Sequence, residues 1–445
     1  MQTQWKNMVF VGVALAIAVV SYLIGRQQGS HTQAALEDKA VAKGDAGTTK
    51  PLSPLMKGRN PLSPEDGAMG FAHPATAGQN TGATPPSTGQ EQAPVSGDPK
   101  GDTAKGKFTH FRVGNRNVKS MFAQGDHVWV GTSSGVIRYN VTNDDYRLFD
   151  VRNGSLLANG VFHVGPLGKS IVVGTYGGGM SLYDQEKEKW TSFNIPQGLA
   201  DAFVYDVMKV ANGDVWIATW SGANRIVGGT LPDPSQWRTY TVENTQGGLP
   251  NDWVYGLAEG LNGDVWLATE GGLALFRNDQ WKHWTHADGV GAPYEQVKGQ
   301  NSFDSDPGAV SSHHARQKEE QGLGHVKTAY NPNYIISLES DGKGGVWCGT
   351  WGAGLAHFDG EKWTNLTKDN GLPSNHIFML HRDEKGRLWV GTSAGLALRQ
   401  DDGSFTVNTT ADGLFSNNVF SMTFSQDGSQ WVGSYGGVAR IYPKQ

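Results

Sequence analysis

The chain has 445 residues, enough for about three domains or one large one, and a formal net charge of −5. Only 18% of residues are charged, while Gly (61 copies) and Trp (15) are abundant. That much glycine excludes a mainly helical chain, because each helix-interior Gly costs ~1 kcal/mol relative to Ala. The acidic balance offers no bulk attraction to nucleic acid, and the single cysteine, Cys348, excludes an internal disulfide, a thiolate metal cluster and a CxxCH haem site.

Residues 1–7 form a short tail, and residues 8–25 (MVFVGVALAIAVVSYLIG) carry no charge. At ~1.5 Å per residue the run spans ~27 Å of helix, close to the ~30 Å hydrocarbon core. No small-x-small cleavage site follows directly, so the run reads as an uncleaved single-pass signal anchor rather than a signal peptide. The flanking charges favour the N-terminus inside, which places the remainder outside an inner membrane, in the periplasm or beyond. Residues 26–106 contain one aromatic residue, Phe71, and eight basic against eight acidic residues. Such a Pro/Gly/Ala-rich segment cannot bury enough apolar surface to offset chain entropy and reads as a disordered tether.

Residues 107–445 are repetitive. A motif of the type VWVGTSSGVIRY recurs at 128–139, 172–183, 215–226, 265–276, 346–358, 388–398 and 430–442. Each copy sits among four short apolar runs, and four strands per ~42 residues is the pattern of a propeller blade. The fold expected is all-β, a seven-bladed β-propeller. Residues 292–330 break the spacing and read as an inserted, solvated loop. The last unit lacks its fourth strand, and Lys107–Arg112 has the matching aromatic spacing, so this stretch is expected to close the ring.

The units LWVGTSAGLALRQDDGSF and KWTNLTKDNGLPSNHI, with lead-ins such as Gly371-Leu372-Pro373-Ser374-Asn375, resemble two-component regulator propeller repeats. The resemblance implies an extracytoplasmic sensor domain of a membrane-bound regulator, in several relatives a saccharide binder. No kinase core or DNA-binding helix pair follows the repeats in this sequence, so an output would need a partner protein.

Subtracting the repeated tryptophans leaves Trp220, Trp253 and Trp351, all in connections that form one face of a propeller. Tyr176, Glu270 and Tyr435 occupy the turn position of Trp220 and Trp351, while Tyr334 and His376 match Trp253. Arg225, just after the Trp220 turn, completes the candidate ligand-binding set. Aromatic faces beside a carboxylate suit sugars or cationic groups. Asn159, Asn251, Asn333, Asn375 and Asn417 recur at one position and read as turn caps.

GTSSG at 131–135 and GTSAG at 391–395 fit G-x-S-x-G, but they sit in strand-to-strand hairpins rather than the strand–turn–helix that motif requires. His313, His314 and His325 with Glu319 and Glu320 match no metal-ligand spacing. No catalytic residue, metal or cofactor is assigned. The function expected is a membrane-anchored propeller that senses an oligosaccharide or other small ligand and acts through a signalling or assembly protein. The alternatives are an interaction scaffold and a propeller lyase or glycosidase, the last requiring a His and carboxylates that converge.

Overall fold

A computed structural model describes residues 107–443, except 302, 304, 305 and 310 and the side chains of 114–116. The expected tail, anchor and tether (1–7, 8–25 and 26–106) lie outside the described residues. Among the described residues no helix is long and apolar enough to cross a membrane.

The fold is an all-β propeller. One sheet shows the unit: Val254–Glu259, Val265–Thr269, Gly272–Arg277 and Gln280–Trp284 pair antiparallel in chain order. Turn chemistry closes its central hairpin. The Thr269 hydroxyl donates to the Gly272 carbonyl at 2.8 Å, and Gly272 has φ +130°. A Cβ there would lie 2.3 Å from the Trp284 carbonyl, so only glycine fits. Thr132, Thr219 and Thr392 make the same bond to Gly135, Gly222 and Gly395.

Sheets stack through the second-strand tryptophans. Trp216 is 1% exposed and lies 5.5 Å from Tyr240 of its own sheet and 5.0 Å from Phe276 of the next. Trp129 meets Tyr183 of the next sheet in the same way, and Trp431 meets Tyr139 across the two halves of the sheet at the seam. A unit this small cannot bury both faces, so these inter-sheet rings supply its core.

Among the described residues there are five four-stranded sheets and one six-stranded sheet. The expectation of separate four-stranded units fails at the seam, because Phe108–Gln124 runs on from the last unit into the first and Gln430–Ile441 fills two strand places of the last unit without a break. Phe108–Gln124 pairs through Phe108–Arg112 with Gly437–Ile441, then through Val118–Gln124 with His127–Thr132. Its register shifts between Arg112 and Asn117. The other long strand, Gln430–Ile441, pairs on one side with Val419–Phe424 and on the other with Phe108–Gln124. The pairing expected of 107–112 with the last unit is therefore present. The innermost strands follow one another around the ring, and Val419–Phe424 returns to Phe108–Gln124.

Residues 292–330 leave after Trp284 and return at Asn331. They carry the short helices Tyr294–Val297 and Ser312–Glu320.

Candidate functional site

The innermost strands begin with a β-branched residue paired to a hairpin Thr or Ser: Val204 with Thr219, Val254 with Thr269, Ile377 with Thr392. A register shift follows each of these pairs and turns the next residue toward the centre of the ring. Those next residues are largely aromatic, and their rings touch in succession. Phe162 lies 4.6 Å from Tyr205 and Tyr205 lies 5.0 Å from Tyr255. In the next unit that place belongs to Ile336, and the rings pass instead through Tyr334, which precedes Ile335 and lies 4.9 Å from Tyr255. The series continues through Trp351 and Phe378 to Phe420. Lys119 holds the equivalent place in the first unit, 4.2 Å from the Phe162 ring. Surrounding protein desolvates its ammonium and lowers its pKa to about 8.

A second series runs along the turns above. Tyr176 meets Phe203 at 4.4 Å, Phe203 meets Trp220 at 4.6 Å and Trp220 meets Trp253 at 4.4 Å, each edge to face. Such contacts add ~0.5–1.5 kcal/mol per pair beyond burial and hold the rings in fixed orientation.

Glu270 sits where both series meet the insertion. Its side chain is 0% exposed. It accepts from the Tyr255 hydroxyl at 3.2 Å, and it meets His313 Nε2 at 3.0 Å and His314 Nδ1 at 2.5 Å. Burial raises its pKa, but the two imidazole donors more than offset this and bring the carboxyl down to about 2. The His313 ring lies flat on Trp253, centroids 3.4 Å apart, and the His314 ring stacks on Tyr334 at 5.5 Å. The insertion is thus not the solvated loop expected from its composition, since its helix delivers two side chains onto the rim. Glu319, Glu320 and His325 take no part in this contact; Glu320 pairs with Arg316 on the helix's exposed side. Among the described residues no group of three or more His, Cys, Asp or Glu is arranged to hold a metal ion.

The remaining candidates divide. Trp351 is 1% exposed and joins the central aromatic cluster with Tyr334 and, at its edge, Tyr435. His376 is fully buried, and its Nε2–H donates to the Ala329 carbonyl at 2.7 Å. Burial lowers its pKa to about 4, so it is a neutral anchor for the end of the insertion. Arg225 does not join the others. Its guanidinium turns to Asp214 at 2.7 Å and Asp279 at 2.9 Å and lies over Phe276, between two sheets.

Sequence reasoning passed over Tyr205, Tyr255, Phe378 and Phe420, although each directly follows the first apolar residue of an inner run. That repeated place was the available signal. The recurrent asparagines act as turn caps: Asn333 accepts from the His286 amide, Asn375 from Lys368 and Asn417 from Thr410. In one unit Asp252 takes that part, accepting from Val242, and Asn251 instead accepts from Trp253. At the opposite ends of the strands a depression of about 610 Å³ is lined by residues that include Glu259, Leu261 and Gly342. Glu259 is its one ionisable group and already accepts from the Ala211 amide at 2.6 Å.

The family described as two component regulator propeller has a model that matches residues 371–394, the stretch that includes the GLPSN lead-in. No curated protein matches the sequence. Among solved structures, the chain is similar to the extracellular domain of a hybrid two component system from B. thetaiotaomicron. That likeness has 18% identity and a TM-score of 0.55, covering 74% of this chain and 40% of the other. The chain thus spans 40% of the length of that structure. It is also similar to a streptogramin B lyase, at 12% identity and TM-score 0.52, covering 75% of this chain and 96% of the lyase. A virginiamycin B lyase from Staphylococcus aureus gives 9% identity and TM-score 0.52, over 76% and 99% of the two chains. At these identities the likenesses show the fold alone.

Proposed function

We propose that this chain is a membrane-anchored, extracytoplasmic propeller that senses a small ligand at the mouth bounded by Trp220, Trp253, Glu270 and Tyr334, and that its output passes through a partner protein. One observation carries the reading. Glu270 is a fully buried carboxylate at a turn position where the hairpin requires none, and it is surrounded by ordered aromatic rings. Clustered rings with a few convergent polar groups are the usual make-up of a ligand site. The match at 371–394 to regulator propeller repeats and the fold shared with an extracellular two component domain support the sensing role and an extracytoplasmic location. In this reading residues 8–25 anchor the chain, and 26–106 tether the propeller.

The same reading counts seven blades. The six-stranded sheet divides at the register shift into Val419–Phe424, Gln430–Tyr435, Gly437–Ile441 and Phe108–Arg112 on one side, and Val118–Gln124 with its three partners on the other.

A lyase reading has one point in its favour, the meeting of a carboxylate with two imidazoles. Each imidazole already bonds the carboxylate, so both Glu270 oxygens are taken up within the trio.

The test is thermal stability of the full-length chain in detergent against oligosaccharides and small metabolites. A ligand at ~100 times its Kd adds ~2.7 kcal/mol of stability. A hit abolished by Trp253→Ala supports the sensing face. Trp253 is half-buried, so this variant leaves the central cluster in place. A hit indifferent to Trp253→Ala places the ligand elsewhere, and a broad library without hits favours the scaffold.

A further inference from the structure

We propose that the Glu270 site recognises a small planar N–H cation, of the imidazolium or guanidinium kind, and that His313 and His314 occupy it as an internal stand-in for that ligand. The inference rests on the sensing reading above and names its ligand class.

The geometry around Glu270 is that of a bound ligand. Two flat nitrogen rings each aim a ring nitrogen at one carboxylate oxygen, at 3.0 and 2.5 Å. Each ring also lies on an aromatic face, His313 on Trp253 with an interplanar angle of 10° and His314 on Tyr334 with 23°. A flat cation placed between aromatic faces and a desolvated carboxylate gains stacking, cation–π attraction and charge-assisted hydrogen bonds together. A neutral saccharide would use the rings but leave the buried carboxylate without a counter-charge, which is costly. Glu270 and Tyr255 belong to the propeller and the two imidazoles to the insertion, so the site and its occupant are separable parts of one chain.

The helix that carries the imidazoles holds together without the rim. Lys318 pairs with Asp306 at 2.6 Å and donates to the Val326 and Thr328 carbonyls at 2.9 and 3.3 Å, all within the insertion. Its further bond to the rim runs from Asn251 to Gln317, at 3.3 Å. The neighbouring stretch is fixed independently, since Asn301 donates to the Gly352 carbonyl and Asn375 donates to both Gln300 and Asn301. An incoming cation therefore has to displace two side chains and one amide contact and leaves the helix intact. Such displacement couples occupancy of Glu270 to the position of Ser312–Glu320, which is a signal a partner protein can read.

The test is chemical rescue in the full-length chain. His313→Ala/His314→Ala empties the site, and imidazole, methylguanidinium and the uncharged isostere methylurea serve as probes. Imidazole and methylguanidinium are expected to raise the melting temperature of the double variant by ~5 °C at ~100 times Kd. Wild type should respond at least 10-fold more weakly, methylurea should have no effect, and adding Glu270→Gln should abolish rescue. A folded double variant that ignores both cations, or responds equally to methylurea, overturns the proposal. If that variant ignores the cations while an oligosaccharide hit remains sensitive to Trp253→Ala, the ligand class falls and the sensing face stands. Should the double variant not fold, Glu270→Gln alone decides by hydrogen exchange. Faster exchange across 312–320 supports self-occupation, and unchanged protection overturns it.

Discussion

The mouth of the propeller has two unlike sectors on one backbone plan. From Phe203 to His376 the places beside the hairpin turns hold Trp220, Trp253, Glu270, Tyr334 and Trp351, and the insertion packs upon them. The sector across the seam holds Ser133, Ser393, Asn117, Gly160 and Asn418 at matching places, and its large residues there are Tyr176 and Tyr435, which the insertion's imidazoles do not touch. The register shift at the start of the inner strand and the Thr–Gly hairpin occur in both, at Val118 and Thr132 in one and at Val254 and Thr269 in the other. Backbone geometry is therefore common to the ring, and side chains at two repeat positions make one sector a site. The insertion enters just before Asn331, beside the large residues it covers.

The largest effect is expected from breaking the ring that both sectors share. Removing 107–113 takes away the partner of Gly437–Ile441 and the Phe111 ring stacked on Trp431 at 5.4 Å. Loss of cooperative unfolding, or a melting temperature lowered by more than ~10 °C, is expected, since a single large-to-small core change already costs ~3–5 kcal/mol. An unchanged melting temperature would refute the closure.

Next is a matched pair at one repeat position. Glu270→Gln should cost about 2–3 kcal/mol by urea denaturation at pH 7, because it weakens charge-assisted bonds to two imidazoles. Ser393→Ala removes a neutral 2.7 Å bond to Ser374 and should cost ~1 kcal/mol or less. Equal costs would erase the distinction between the sectors.

The pH profile sharpens the same comparison. The folded carboxyl of Glu270 is held at about 2, below its ordinary value of 4.5. Its stabilisation is therefore complete above pH 4.5 and is lost as pH falls toward 2. The gap between wild type and Glu270→Gln should close across that window, while Ser393→Ala should keep a constant gap.

The smallest effect falls in the open sector. The Lys119 ammonium is lowered from 10.5 to about 8, so its charge opposes folding below pH 8 and ceases to do so above 10.5. Lys119→Met should raise the melting temperature slightly at pH 7 and make no difference above pH 10.5. A lower melting temperature at pH 7 would mean that the cation–π contact with Phe162 outweighs desolvation.

Much of the fold was legible because its determinants are short and repeat. Alternating apolar runs, the Thr–Gly hairpin and the strand-two tryptophans each act within a few residues or between neighbouring units, so a periodic sequence displays them. Trp220, Trp253, Glu270 and Tyr334 were legible as departures from that period. Arg225 was misplaced because its strand position aims it at Asp214 and Asp279 between sheets, and a turn-adjacent number says nothing of that direction.

By itself the sequence determined the all-β repeat, the strand that closes the ring and the rim positions that differ from their equivalents, because local hydrogen bonding and alternation dictate these. The tertiary structure alone decided that two units merge through Phe108–Gln124 and that Tyr255 and its equivalents face inward. It also decided that Glu270 meets His313 and His314. Those imidazoles lie 43 and 44 residues from Glu270, in a segment outside the repeat, so no periodicity relates them. Their meeting follows from where the insertion can bury its own surface, which only the packed ring defines.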